Sequence, residues 1–337
     1  MTNDHSILSF PRTRESRLVS VKTGNHPRNV DSPLQVRGRP AGVYPVEKRG
    51  RNDTPNSYIQ TLPNGTVLVD YGPMRMFIRV SENGNLLVPL AKEGAHLAMK
   101  VLGDLAKFLP VIKKKSRVLE VEEGFPDAVK RMIESTKKME ELDLTPLAAV
   151  AGTASDVVAD FMFRKGGTKI IVDNGGDIAI RLREGEVARV GIKTEIDATH
   201  PAYLIAIDSK MEIGGVATSG LGGRSFTKGI ASAATVLSPT AALSDAAATV
   251  VGNFTNVEDA NIIRSLAEKI YPDTDIAGEW VTVKVGKLSQ GKIEEALNNG
   301  LSKAYSICET GLIKGALVAI KKRVVWTDSV NSWLRKL

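Results

Sequence analysis

From about residue 58 onward the chain divides into stretches with distinct apolar spacing. Runs 66–71 and 76–80 are rich in Val, Leu, Ile and Phe and predict two strands, with turn residues Glu82-Asn83-Gly84-Asn85 after the second. Residues 90–109 place Leu97, Val101 and Leu105 at helical spacing beside Ala91, Ala95 and Ala98, and Pro110 ends the pattern. A second helix is expected over 127–142, with Val129, Met132, Ile133 and Met139 inward and lysines outward. The Lys113-Lys114-Lys115 run between them reads as a solvated connection. Thr145-Pro146 opens a third helix, rich in small residues, over 147–163, and Gly166-Gly167 stops it.

Strands are expected over 169–172, 178–182, 187–193 and 203–208. A Gly/Ser/Thr-rich loop covers 214–229, and an apolar strand follows over 233–237. Ser238-Pro239 then suits a helix start and Gly252-Asn253 a stop. Beyond it the spacing predicts a helix over 256–270, a strand over 279–285, an amphipathic helix over 292–308 and final strands within 317–326. Helices and strands are interspersed without a regular βαβ rhythm, which points to an α+β fold with mixed or antiparallel sheets flanked by helices.

The 337 residues suffice for a full core, and neither apolar nor charged content departs from that of globular chains. Charge sharpens the picture through its location. Residues 1–55 carry ten Lys/Arg against five acids, so +5 of the net +7 lies there and the remainder is nearly neutral. That balance gives no footprint for nucleic acid. The Arg-, Pro- and Ser-rich segment 1–56 is expected to be a disordered basic extension, with one domain over 57–337. A single cysteine, Cys308, excludes an intramolecular disulfide and a cysteine metal cluster, and the four histidines are widely separated. With no 18-residue apolar run and no signal-peptide core after Met1, the expectation is a cytoplasmic protein with no membrane partner.

Candidate chemistry concentrates in 212–254. Asp245 and Thr249, four residues apart on an Ala-rich helix, share a face. A carboxylate beside a hydroxyl suits a hard cation such as Mg²⁺, though the same spacing fits two solvated side chains. Asp173-Asn174-Gly175-Gly176-Asp177 between two strands reads as a tight turn with exposed amides, either a plain hairpin or a ligand loop. One echo suggests a duplicated half-domain: 151–156 and 241–245 both lead small-residue helices and both contain Ser-Asp. Cys308 continues the inward stripe of its helix and reads as a core thiol.

Three blocks in one order resemble the ApbE-like superfamily, whose best-known members are FAD:protein FMN transferases. They are Val150-Ala151-Gly152 with Asp156, then Val172 to Ile178, then Val216-Ala217-Thr218-Ser219-Gly220 with Ser244 to Thr249. Pro146 to Gly152 and the Gly-x-Ser stretch from Gly223 to Gly229 are closer still to an uncharacterised subfamily within it. The resemblance implies an ApbE-like fold over 57–337 and Mg²⁺ held by Asp245 and Thr249. It also implies a flavin dinucleotide, FAD or FMN, or a similar diphosphate, surrounded by Asn174, Gly175, Gly176, Asp177, Thr218, Ser219, Gly220, Arg224 and Ser225. A catalytic residue is not assigned. Transferases carry Lys where Ala151 stands and a His after the Thr-Ser-Gly loop, where this chain has Gly223-Arg224-Ser225. Two readings follow: a flavin transferase or diphosphate-cleaving enzyme, and a non-catalytic flavin- or anion-binding or accessory protein linked to sulfur (homocysteine) assimilation. A small anionic ligand is the expected partner, with a homodimer or partner enzyme besides.

Overall fold

Strands that are apolar at successive positions must be buried on both faces, and the central strands of this protein are. The computed structural model describes residues 55–337. The basic extension expected over 1–56 therefore lies, except for its last two residues, outside the described residues. The strands are, in order, β1 (Ile59–Thr61), β2 (Val67–Tyr71), β3 (Met74–Glu82), β4 (Asn85–Leu86), β5 (Lys169–Asp173), β6 (Asp177–Leu182), β7 (Val187–Ile192) and β8 (Tyr203–Asp208). Then come β9 (Gly215–Ser219), β10 (Ala233–Ser238), β11 (Ile262–Leu266), β12 (Trp280–Val285), β13 (Gly315–Ile320), β14 (Arg323–Trp326) and β15 (Leu334–Lys336). The helices are α1 (Val88–Lys107), α2 (Leu109–Ile112), α3 (Asp127–Lys137), α4 (Val150–Arg164), α5 (Ala241–Phe254), α6 (Ala267–Ile270) and α7 (Gln290–Glu309).

One large sheet has the order β1-β2-β3-β5-β6-β9-β10-β13-β14, with β4 added to β3, and every pairing in it is antiparallel. Side chains alternate across it. Ile170, Val172, Ala234, Val236, Ala316 and Val318 point into the core beneath the helices. Ile171, Ala233, Leu237, Leu317 and Ala319 point into a second core, closed by the three-stranded sheet β15-β8-β7. The result is three layers, helices over a large sheet over a small one, which is the α+β architecture expected. The apolar helical stretch Pro146–Arg164 is long enough to cross a membrane by length and composition, but most of it is buried in the helical core.

The structure corrects the sequence reading of several element bounds: the first helix ends at Lys107 and Pro110 falls inside α2, and the helix expected over 127–142 ends at Lys137. Residues 256–270 form β11 and the short α6 instead of one helix, because Ile262 to Leu266 pair with β12 around a bulge. Cross-strand pairing there overrides a spacing that also fits a helix. The helix expected to open at Ser238-Pro239 begins later: Ser238 stays in β10, and Thr240 is the N-cap, its hydroxyl accepting from the Leu243 amide at 3.3 Å. Nor does Gly252-Asn253 stop that helix, which continues to Phe254.

Packing of α4 against α5 positions everything that follows. Asp156, in the second turn of α4, is 1% exposed and accepts from the Ala241 and Ala242 amides at 3.1 and 2.8 Å, filling the N-terminus of α5. Asp245, in the second turn of α5, accepts in turn from the Gly152 amide of α4 at 2.9 Å. The Ser-Asp echo in the sequence is thus an exchange of carboxylates between two helix starts. Only glycine fits the crossing, since a Cβ at Gly152 would lie 2.2 Å from the Ala241 carbonyl oxygen. Arg181 of β6 completes the clamp, donating to Asp156 at 2.8 Å, to Asp160 at 2.7 Å and to the Gly214 carbonyl at 3.0 Å.

Removing Asp156 would orphan two helix amides and leave a largely buried guanidinium one partner short. Asp156→Ala is expected to cost about 3–5 kcal/mol of stability. Asp104→Ala, which breaks only the exposed pairs of α1 with Lys100 and Lys107, should cost less than about 1 kcal/mol. Urea unfolding midpoints of the two variants test the contrast.

Candidate functional site

A cleft of about 120 Å³ opens where the N-terminal half of α4, the face of α5, the β5–β6 turn, the end of β9 and the loop after it converge. Asp245 and Thr249 reach it from α5. Thr218, Ser219 and Gly220 come from β9 and its exit, Arg224 and Ser225 from the following loop, and Gly175 and Asp177 from the hairpin turn. Nine of the eleven residues singled out in the sequence therefore line one cavity. Asn174 and Gly176 do not. Asn174 is buried, its side-chain amide donating to the Ala151 carbonyl at 3.4 Å, and the Gly176 amide donates to Asp173 at 2.8 Å. Both hold the turn in shape from behind the cleft surface.

The electrostatics centre on Asp245. Burial pushes its carboxyl well above the ordinary carboxylate range, and the neighbouring Asp177 pushes it the same way. The Gly152 and Ala151 amides and the Arg224 guanidinium pull it back only in part. A half-buried carboxylate crowded by a second one, with a hydroxyl one helical turn away, is a set of hard oxygen donors that a cation would relieve. Among the described residues no group of three or more His, Cys, Asp or Glu could hold a metal. The donor set fits an ion that keeps much of its coordination for water or ligand oxygens, as Mg²⁺ does.

Arg224 lies across the turn. Its Nη1 donates to the Pro73 carbonyl at 2.6 Å and its Nη2 to the Asn174 carbonyl at 3.2 Å. Gly175, at φ +76°, makes room for it: a Cβ there would sit 2.2 Å from Nη2. The guanidinium is thus held by backbone oxygens at the edge of the cavity, close enough to Asp245 to act on its charge. Thr218, at the mouth of β9, has its hydroxyl 2.9 Å from that of Thr235 on β10.

Sequence reasoning missed one wall. Residues 271–276 add a further side to the cavity, with Tyr271, Asp273, Thr274, Asp275 and Ile276 all lining it. They are fastened from elements remote in sequence. Lys113 donates to the Asp273 carbonyl at 2.8 Å and to its carboxylate at 2.6 Å, and the Thr145 hydroxyl donates to Asp275. Lys115 donates to the Asp143 carbonyl at 2.8 Å, so the run expected to be merely solvated instead fastens the site. Lys228, on the glycine-rich loop, pairs with both Asp143 and Glu279. Nothing local in the sequence links these residues, because each contact spans a large loop of chain.

The family model described as AbpE bacteria matches residues 59–326. A UPF0280 protein of Methanosarcina acetivorans is 34% identical over 214 residues, spanning 61% of this chain and 82% of the relative. A UPF0280 protein of Methanopyrus kandleri is 36% identical over 189 residues, spanning 52% and 74%. Among solved structures, the flavin transferase ApbE from Vibrio cholerae superposes with a TM-score of 0.47 at 14% identity, covering 82% of this chain and 99% of that one. The Pseudomonas stutzeri flavinyl transferase ApbE, in its apo form, gives a TM-score of 0.42 at 14% identity, covering 77% and 92%.

The raised Asp245 carboxyl fixes the sign of one outcome. A carboxyl whose folded pKa exceeds its unfolded one is ionised more readily in the unfolded chain. At any pH above the unfolded value its ionisation therefore opposes folding. Asp245→Asn keeps an oxygen to accept from Gly152 and removes that charge. In metal-free buffer at neutral pH the variant should melt at a higher temperature than the parent, and it should lose any stabilisation that Mg²⁺ gives. Differential scanning calorimetry with and without Mg²⁺ tests both halves.

Proposed function

Because this chain belongs to the AbpE bacteria family, within the ApbE-like superfamily and alongside the UPF0280 proteins, we propose that it binds a flavin dinucleotide or a similar diphosphate together with Mg²⁺. The observation that carries the reading is the half-buried Asp245 carboxyl, crowded by Asp177, with Thr249 one turn away on the same cavity wall. Asp245 and Thr249 would hold the ion, which when bound neutralises charge on the diphosphate. Arg224, anchored by the Pro73 and Asn174 carbonyls, would present positive charge to phosphate oxygens from the edge of the cavity. Amides of the glycine-rich exit from β9 supply neutral donors beside it. The 271–276 wall and the aliphatic parts of Leu144, Leu147 and Val150 keep water from one side.

Chemistry beyond binding divides into two readings. Flavin transfer or diphosphate cleavage is supported by the Asp–Thr pair. A binding or accessory role, including one in sulfur (homocysteine) assimilation, is supported by Ala151 and Arg224, which stand where the transferases carry Lys and His. Among the described residues no histidine lines the cleft.

Mixing the protein with FAD and Mg²⁺ is expected to change flavin fluorescence, and a chelator should reverse the change. Asp245→Ala should abolish the metal-dependent part. Release of AMP and FMN over hours selects the enzymatic reading, and binding without release selects the other. Flavin binding indifferent to both chelator and Asp245→Ala would exclude the metal assignment.

A further inference from the structure

Asp245, Thr249 and Asn253 are spaced by four residues and follow one ridge of α5 as it winds toward its C-terminus. The third of them reads from sequence as half of a helix stop, yet it lies inside the helix and lines the cleft. Its carboxamide orientation is fixed. The Lys228 backbone amide donates to Asn253 Oδ1 at 2.9 Å, and the Thr227 hydroxyl does so at 3.4 Å. A main-chain N–H can only donate, so the oxygen must face the loop and Nδ2 must face away from it. Among the described residues that NH₂ group has no hydrogen-bond partner.

Asn253 stands at a junction. A second cavity, of about 540 Å³, shares Asp143, Leu144, Lys228 and Asn253 with the first and continues past Phe254 to Asn256, Asn299 and Ser302. The charges between the two cavities are already matched: Lys228 with Asp143 and Glu279, and Lys303 with Glu141 at 2.6 Å. Asn253 is therefore a preset neutral donor on the shared wall, two helical turns from Asp245.

We infer that Asn253 is a ligand-binding residue, its Nδ2 donating to a phosphate or carbonyl oxygen of a phosphorylated ligand that lies across the junction of the two cavities. The inference rests on the diphosphate reading of the cleft and adds to it the group that sets how far along α5 the ligand extends. Asn253→Asp separates this role from a structural one. The aspartate still accepts from the Lys228 amide, so the loop stays anchored, while the donor becomes a second acceptor facing the ligand.

The test is calorimetric titration of FAD in the presence of Mg²⁺ into the full chain. Asn253→Asp should weaken binding roughly 10- to 100-fold, the worth of a hydrogen bond to a charged acceptor. Its melting temperature and its affinity for Mn²⁺ alone should match the parent's. Asn256→Asp, which adds the same charge in the second cavity and still accepts from Arg264, should weaken FAD binding less than about threefold on the same scale. A parent that binds FAD while Asn253→Asp binds it equally well overturns the role of Asn253 and leaves the cleft reading intact. Equal losses in both variants would also overturn it, since charge alone would then account for the effect. A parent that binds no FAD overturns the cleft reading and this inference with it.

Discussion

The exchange of carboxylates between α4 and α5 is the constraint on which the rest depends. Each helix start leaves amides without intrahelical partners, and each is served by an aspartate from the second turn of the other. The arrangement works only if the two helices cross with almost no side chain between them, which Gly152 against Ala241 permits. That closeness explains the run of alanines in α5 better than helix propensity does. It also explains why the two aspartates differ. Asp156 has Arg181 as a counter-charge within 2.8 Å and is closed off by structure. Asp245 has amides, the Arg224 guanidinium without a direct ion pair, and a second carboxylate, and it lines a cavity. One half of a near-symmetrical device has a counter-charge in direct contact, and the other has none.

Much of this was legible in the chain. The strands buried on both faces showed as continuous Val/Ile/Leu/Ala runs, and their order without a βαβ rhythm gave the α+β class. Asp245 and Thr249 stood out because helical spacing put them on one face of a small-residue helix, and the Asn-Gly-Gly-Asp turn because glycines between strands demand a hairpin. What failed was whatever depended on contacts across the fold. Residues 256–270 carry helical spacing, but their partner strand lies some twenty residues further on and wins. Asn253 looked like punctuation because Gly-Asn ends many helices, and only the loop folding back over it shows that its carboxamide oxygen is held by the Lys228 amide.

The cavity wall at 271–276 shows the same limit from the other side. It is built by lysines at 113, 115 and 228 and carboxylates at 143, 273 and 279, none of which forms a motif. Charge runs usually mean solvated surface, and for Lys114 that remains a sufficient account. For Lys113 and Lys115 the fold brings oxygen acceptors to within hydrogen-bonding distance, which no local pattern announces.

An open sheet of this length has ends, and the outer one at β14 governs how the molecule behaves in a crowd. Its strand is only four residues long, begins at Arg323, and follows directly on the turn Lys321-Lys322, where Lys321 is left-handed. Unsatisfied backbone groups along such a rim invite another chain to dock strand-to-strand, and clustered cations on a short rim oppose it by repulsion. The same ten-stranded sheet that underlies the cleft thus ends in a short strand beside clustered cations, which opposes strand-to-strand docking at that edge.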